Sequence, residues 1–135
     1  LLEIIMADTL NFSLVSPARE LFSGSVEQVD IPGTEGDFGV LPYHSPLMAA
    51  IRTGVMTVYA GGAETRYFVQ GGFADVTPAG LTVLAERASV MGELNAADLD
   101  AGIAKVEGSL EALEGDVALT ARQNLDGLRD ARATL

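Results

Sequence analysis

Side chains fit for chemistry are sparse in this chain, and the most suggestive of them lie close together. Glu35 and Asp37 stand two positions apart, and His44, the single histidine, follows shortly after. Paired carboxylates are the raw material of acid/base catalysis, and a histidine near carboxylates is the raw material of a metal site or a hydrolytic triad. Each reading lacks its remaining parts. Carboxylates on a loop need a substrate cleft between them, and nothing in the pattern supplies one. One histidine in a chain without cysteine makes a poor zinc site. A triad needs a serine on a strained elbow, and no Gly-x-Ser-x-Gly occurs. Asp37-Phe38-Gly39 matches the kinase magnesium tripeptide by letters only, because the catalytic-loop and lysine motifs are missing. The glycines from Gly33 to Gly39 lack the Gly-Lys-Ser/Thr ending of a phosphate loop and put carboxylates where a phosphate wants lysine. The expectation is therefore no catalytic residue, no metal and no cofactor.

What these residues share is an unusual backbone. Ile31-Pro32-Gly33-Thr34-Glu35-Gly36-Asp37-Phe38-Gly39-Val40-Leu41-Pro42-Tyr43-His44-Ser45-Pro46-Leu47 holds three glycines and three prolines. Such a stretch reads as a turn and a short strand on a surface loop that presents one fixed shape to a partner. A solvated turn is the plainer account of Glu35 and Asp37, and a partly buried structural histidine is the plainer account of His44.

The elements that would position this loop fall into two regions. Before about residue 88, short β-rich runs alternate with turn residues. Strands are expected at 11–16, 24–31, 55–59, 65–70, 73–76 and 81–85. Ala60-Gly61-Gly62-Ala63 and Thr77-Pro78-Ala79-Gly80 serve as hairpin turns. Many short strands with regular turns indicate a sandwich or flattened barrel. After about residue 89 the period becomes helical. Leu99, Ile103, Val106, Leu110 and Leu113 form one stripe, with Asn95 as N-cap. Gly115 and Asp116 are expected to stop the first helix and cap the second, a two-residue connection that makes the helices antiparallel. Val117, Ala121, Leu125, Leu128 and Leu135 form the second stripe, while Gly102, Gly108 and Gly127 weaken both helices by about 1 kcal/mol each. The organisation expected is a β domain over 1–88 and a helical hairpin over 89–135. Leu1-Leu2-Glu3-Ile4-Ile5-Met6 is too short for a signal peptide and is expected to be an upstream remnant without order, with Met6 the initiator.

Composition narrows the partners. The 135 residues suit one domain with a small appendage, and 48% hydrophobic content supplies a core. The absence of cysteine excludes disulfides and cysteine nucleophiles, and fits a reducing compartment. A net charge of −11, spread along the chain, argues against nucleic acid and against anionic lipid. No tryptophan and three tyrosines leave little for an aromatic carbohydrate platform.

The loop sequence carries a family resemblance. The run from Pro32 to Pro42, then His44 and Pro46-Leu47, closely resembles the epsilon subunit of bacterial F-type ATP synthases. Leu14-Val15-Ser16-Pro17, Phe22-Ser23-Gly24, Gly54-Val55, Gly71-Gly72-Phe73 and Leu81-Thr82-Val83-Leu84-Ala85 match as well. The resemblance implies a ten-stranded β-sandwich followed by an α-helical hairpin. It further implies a non-catalytic rotor subunit at the foot of the central stalk, on the cytoplasmic face of the bacterial inner membrane. Its partners would be the gamma subunit, the c-ring and the alpha/beta head, and its work would be to couple proton-driven rotation to ATP synthesis. By the same resemblance Glu35, Gly36, Asp37 and Tyr43 face the c-ring, while His44, Pro46 and Leu47 lie near gamma.

The hairpin departs from the family pattern. Members that bind ATP there carry Ile/Leu-Asp-x-x-Arg-Ala. Here Leu99, Asp100, Ile103 and Ala104 occupy those positions, and isoleucine offers no guanidinium to a triphosphate. The basic residues that would let the second helix inhibit the head are Arg122, Arg129 and Arg132, offset by Asp116, Asp126 and Asp130. Self-inhibition is expected to be weak. The competing reading is an ATP-sensing inhibitor acting through the helices, which micromolar ATP binding would support.

Overall fold

Alternation drives the first half of the chain into strands. In β1 (Leu10–Val15), Leu10, Phe12 and Leu14 are buried and the residues between them turn outward. The others are β2 (Glu20–Val26), β3 (Gln28–Ile31), β4 (Phe38–Val40), β5 (Leu47–Ala50), β6 (Gly54–Ala60), β7 (Ala63–Thr77) and β8 (Gly80–Val90). This computed structural model describes residues 9–135, so the expectation for Leu1-Leu2-Glu3-Ile4-Ile5-Met6 falls outside it.

The hydrogen-bonded order is β2-β1-β8-β7-β6-β3-β4, with β5 attached to β7. β7 and β8 are long enough to serve both layers. The first half of β7 pairs with β6 and with the end of β8, and its second half pairs with β5 and the start of β8. The start of β8 also lies parallel to β1. Counted by layer, β7 and β8 each contribute twice, so eight strands build a sandwich of ten segments. The ten-stranded sandwich implied by the family resemblance has this basis.

β2 starts at Glu20 instead of 24, β8 runs five residues past the expected 85, β5 was not expected, and two expected runs are divided differently. The run 65–70 and the run 73–76 are one strand, β7, bent rather than broken at Gly71 and Gly72, whose φ values are 69° and 123°. A Cβ on Gly72 would overlap the Leu84 carbonyl oxygen, so the two backbones touch where they change layer. The run 24–31 is two strands separated at Glu27. Here the chain crosses from β1's layer to β6's, and a single straight strand could not pair with both. Between the layers lie Phe12, Leu14, Val29, Met56, Val69 and Val83, each contributing about 1.5–3 kcal/mol by burial.

After a 3-10 turn at Met91–Glu93 come α1 (Ala96–Leu110) and α2 (Gly115–Thr134). The Asn95 side chain caps α1 by accepting from the Ala97 amide at 2.7 Å. The connection is longer than the two residues expected, spanning 111–114. Ala112 and Leu113 amides satisfy the Ser109 and Leu110 carbonyls, and Glu114 is extended. Gly115 thus opens α2 instead of stopping α1. Asp116 lies in the first turn of α2, where a carboxylate meets the positive end of the helix dipole.

The buried face of α2 runs through Ala118, Leu125, Leu128 and Ala131, whereas Val117 and Leu135 of the expected stripe are exposed. Leu99 and Leu128 join Phe68, Met91 and Ala131 in a second core between the hairpin and the outer side of the β6–β7 layer. Gly127 is not simply a weak point of the helix. A Cβ there would overlap the Thr53 carbonyl oxygen, so glycine lets the helix backbone rest on the sandwich. Among the described residues no helix is long and apolar enough to cross a membrane.

The two kinds of glycine should separate by denaturation. Gly72→Ala is expected to cost roughly 2–4 kcal/mol through overlap and backbone strain. Gly61→Ala, where φ is 61° and a Cβ meets open space, should cost about 1–2 kcal/mol. Equal losses in urea melts would show that the layer crossing is not tight.

Candidate interaction face

The turn between β3 and β4 is closed by its own backbone. The Gly36 amide donates to the Gly33 carbonyl at 3.3 Å, and the Gly36 carbonyl oxygen fills the space a Cβ on Gly33 would need. Gly36 itself has φ 133°. Thr34 donates its amide to Ala50, and Arg52 donates its amide to Pro32 at 2.9 Å, so the end of β5 and the segment after it brace the turn from below. Side chains complete the brace. Both Asp37 carboxylate oxygens lie 2.8 Å from Arg52 Nη2, with Nε adding a contact at 3.2 Å. Arg52 Nη1 donates to the Thr53 carbonyl at 3.0 Å. This multiply bonded contact sets orientation more than stability, because the Asp37 end is largely in water.

Of the residues expected to face a ring, the structure leaves Glu35 and Gly36 exposed at the tip and engages Asp37 with Arg52. Asp37 is thus occupied with shaping the turn. Next to it, Tyr59 Oη and Gln28 Nε2 both donate to the Asp30 carboxylate, at 2.9 and 2.7 Å. This cluster ties β3 to β6 opposite Gly39, where a Cβ would come 3.2 Å from Asp30 Oδ1. The Asp30 hydrogen bond, then desolvation, raises the Tyr59 phenol above its ordinary pKa of 10.0. Burial does the same for Tyr67. Both phenols stay protonated at neutral pH, so neither is a poised base.

After β4 the chain turns sharply at residues 41–44, with His44 donating its amide to Leu41. Tyr43 takes φ 64° and is 73% exposed. A left-handed backbone at a bulky residue costs on the order of 1–2 kcal/mol, and here the ring it displays is open to solvent. His44 is half-buried, and its Nδ1 lies 2.7 Å from the Ser45 carbonyl oxygen. A carbonyl only accepts, so Nδ1 is the donor in this contact. Pro46 and Leu47 are exposed beside it.

Sequence reasoning passed over an adjoining apolar surface. Met48, Phe73 and Leu84 are 68%, 55% and 53% exposed. Phe73 stands directly opposite both Ala50 and Leu84, and Met48 lies opposite Asp75 in the next row. All three project from the outer side of the β1–β8–β7–β5 layer. The signal was present in the alternation. Ala74, Val76, Leu81 and Val83 are the buried phase, so Phe73 and Leu84 are large apolar residues in the outward phase. Exposed apolar rows of this kind mark interaction surfaces.

The expected nucleotide positions do not gather round one opening. Leu99 is buried, Ile103 packs against the second core, Ala104 is exposed, and Asp100 accepts from Arg132 Nε at 2.9 Å. A cleft of about 500 Å³ between hairpin and sandwich includes Leu99 in its wall but none of the other three. Arg129 pairs with Glu107 at 2.8 Å, and Arg122 is exposed. Among the described residues no group of three His, Cys, Asp or Glu could hold a metal ion.

Residues 9–90 match the family model described as ATP synthase, Delta/Epsilon chain, beta-sandwich domain. Along nearly its whole length the chain is 49% identical to the ATP synthase epsilon chain of Hyphomonas neptunium, over 95% of this chain and 99% of that one.

The chain belongs to the ATP synthase epsilon-chain family.

The epsilon chain of Parvibaculum lavamentivorans is similar at 48% identity, over 96% of this chain and all of its own. Among solved structures, a chain of the Euglena gracilis mitochondrial ATP synthase OSCP/F1/c-ring assembly superposes with a TM-score of 0.78 at 19% identity, covering 94% of this chain and 81% of that one. A chain of the Tetrahymena thermophila mitochondrial ATP synthase central stalk/c-ring gives 0.70 at 11% identity, covering 91% and 96%. At those identities the likeness is one of fold. The epsilon-family sandwich and hairpin of this chain are thus the frame on which the turn at 33–37, the loop at 41–47 and the apolar row are mounted.

Tyr43 separates display from folding. Tyr43→Asn, which suits left-handed backbone, is expected to raise the stability of the isolated chain by up to about 1 kcal/mol. A loss of similar size in a denaturant melt would mean that the ring packs and is not held out for a partner.

Proposed function

We infer that this epsilon-family chain is a non-catalytic rotor subunit of an F-type ATP synthase. It joins the central stalk to the ring that carries the ions, and so couples ring rotation to ATP synthesis in the head. The reading rests on identity to an epsilon chain that continues through sandwich and hairpin alike. The geometry suits the task. A joint that carries torque needs surfaces that do not yield, and the turn at 33–37 is fixed by glycine packing, backbone bonds and the Arg52–Asp37 pair. Glu35 and Gly36 at its tip, with Tyr43, would meet the polar loops of the ring, where charge and shape give register more than affinity.

His44, Pro46 and Leu47, extended by the apolar row of Met48, Phe73 and Leu84, would take the gamma subunit. Burying such a row yields about 25 cal/mol per Å² of apolar surface removed from water. The chain would reach the membrane only through the ring, on the cytoplasmic face, as a peripheral component. The domain division proposed is a sandwich to about residue 88 and a helical hairpin from 89, with β8 running two residues past that boundary to Val90.

Capture of tagged chain from solubilised membranes tests this. Wild-type chain is expected to retain gamma, the head subunits and the ring, and the double variant Met48→Asp/Phe73→Asp to lose gamma while keeping its fold by circular dichroism. Recovery of the wild-type chain alone would overturn the assignment.

Regulation by the hairpin is proposed to be slight. Ile103 stands where a triphosphate would need a guanidinium, and Arg129 and Arg132 are paired with Glu107 and Asp100 on α1. Removing residues 95–135 should leave ATP hydrolysis by the assembled head within about twofold of wild type. A several-fold rise would establish an inhibitory hairpin instead.

A further inference from the structure

We propose that docking of α2 is what stiffens the turn at 33–37, so that the position of the hairpin and the shape of the candidate ring-facing surface are linked. Three contacts from one face of α2 converge on the two segments that form and brace that turn. Gln123 Nε2 donates to the Thr34 carbonyl at 3.2 Å. Asn124 Oδ1 accepts from the Thr53 hydroxyl at 2.6 Å. Gly127 rests on the Thr53 carbonyl, a closeness no other residue type permits.

Thr34 belongs to the turn itself. Thr53 follows Arg52, whose guanidinium holds Asp37 at the far side of the turn and also takes the Thr53 carbonyl. The Thr53 carbonyl is thus shared by the helix backbone above and the guanidinium that shapes the turn. Gly54 adds a constraint from below, since a Cβ there would come 2.8 Å from Arg52 Nη1 and 3.0 Å from Pro32 Cβ. Residue 53 can move little without moving Arg52, and Arg52 little without moving Asp37.

The contacts divide between joints. The Asp100–Arg132 and Glu107–Arg129 pairs join α1 to α2 and do not touch the sandwich. The hairpin can therefore leave as a unit, taking Gln123, Asn124 and Gly127 with it. Once it leaves, the turn keeps its internal bond and the Arg52–Asp37 pair but loses its support at Thr34 and Thr53. Coupling of this kind is reciprocal: whatever clamps the turn favours the docked hairpin, and whatever captures the hairpin loosens the turn. Gln123, Asn124 and Gly127 are positioning residues in this scheme.

The functional consequence rests on the ring-facing reading of the turn, but the coupling itself is measured on the isolated full chain with no partner present. Failure of the coupling leaves the stalk assignment intact, and failure of the stalk assignment leaves the coupling intact. The experiment is residue-resolved amide hydrogen exchange. Gly127→Ala is expected to release α2 and to speed exchange at the Thr34 and Gly36 amides by about tenfold or more, with core amides such as Phe12 and Val83 unchanged. Gly108→Ala, at an exposed helical position where a Cβ meets open space, should leave the turn as in wild type.

Asn124→Ala removes an acceptor without adding bulk and guards against a Gly127 variant that fails to fold. It should give a smaller acceleration at the same amides, and Asn124→Asp, which keeps an acceptor for the Thr53 hydroxyl, should restore protection. A hairpin that stays docked in Gly127→Ala overturns the proposal. So does a turn that keeps wild-type protection after the hairpin has left.

Discussion

The backbone contact at Gly71 and Gly72 is the constraint on which the rest of the molecule hangs. Two strands change layers there together, and they can do so only because no side chain stands between Gly72 and the Leu84 carbonyl. The crossing closes the sandwich without an extra connection. It also carries the second half of β7 out to pair with β5, and the Gly72 carbonyl accepts from the Ile51 amide just beyond β5. The segment from Ile51 to Thr53 is thereby held, and this is the segment that braces the turn and receives the hairpin. One steric requirement thus propagates from the core to both outer surfaces.

The outer surfaces differ in chemistry. The β6–β7 side spends its apolar residues on the hairpin, with Phe68 and Val55 covered by Leu99, Leu128 and their neighbours. The opposite side leaves Met48, Phe73 and Leu84 uncovered. A small domain gains by burying such groups, and three left in the open point to a surface completed by another molecule.

Much of this was legible in the residues. Short β-rich runs set off by turn residues, among them the Gly-Gly and Thr-Pro-Ala-Gly turns, marked most of the strands. The leucine and isoleucine stripe gave α1, and Asn95 gave its cap. The connection at 111–114 was misread through local bonds, but the other misreadings share a cause, which is that each depended on a partner distant in the chain. The break at Glu27 follows from which strands β2 and β3 pair with, and no local pattern carries that. Gly127 reads as a poor helix residue until Thr53 is placed against it. Asp37 reads as a free carboxylate until Arg52, fifteen positions on, reaches it. Leu84 and Phe73 could have been noticed by phase alone, since they fall opposite to the buried set. The contact partners proposed for the loop lie outside any single chain, and the family resemblance, not periodicity, supplied them.

The two joints of the hairpin answer to different solvents. Helix is held to helix in part by exposed ion pairs, Asp100 with Arg132 and Glu107 with Arg129, which salt screens over a Debye length of about 8 Å at physiological ionic strength. Helix is held to sandwich by apolar burial around Phe68 and Leu128, by the Thr53–Asn124 bond and by backbone contact at Gly127. Salt does little to those contacts, and the apolar part of them weakens on cooling. Ionic strength therefore acts only where helix meets helix, whereas cooling acts on the apolar core that both joints share, so one of the appendage's two hinges can be loosened without the other.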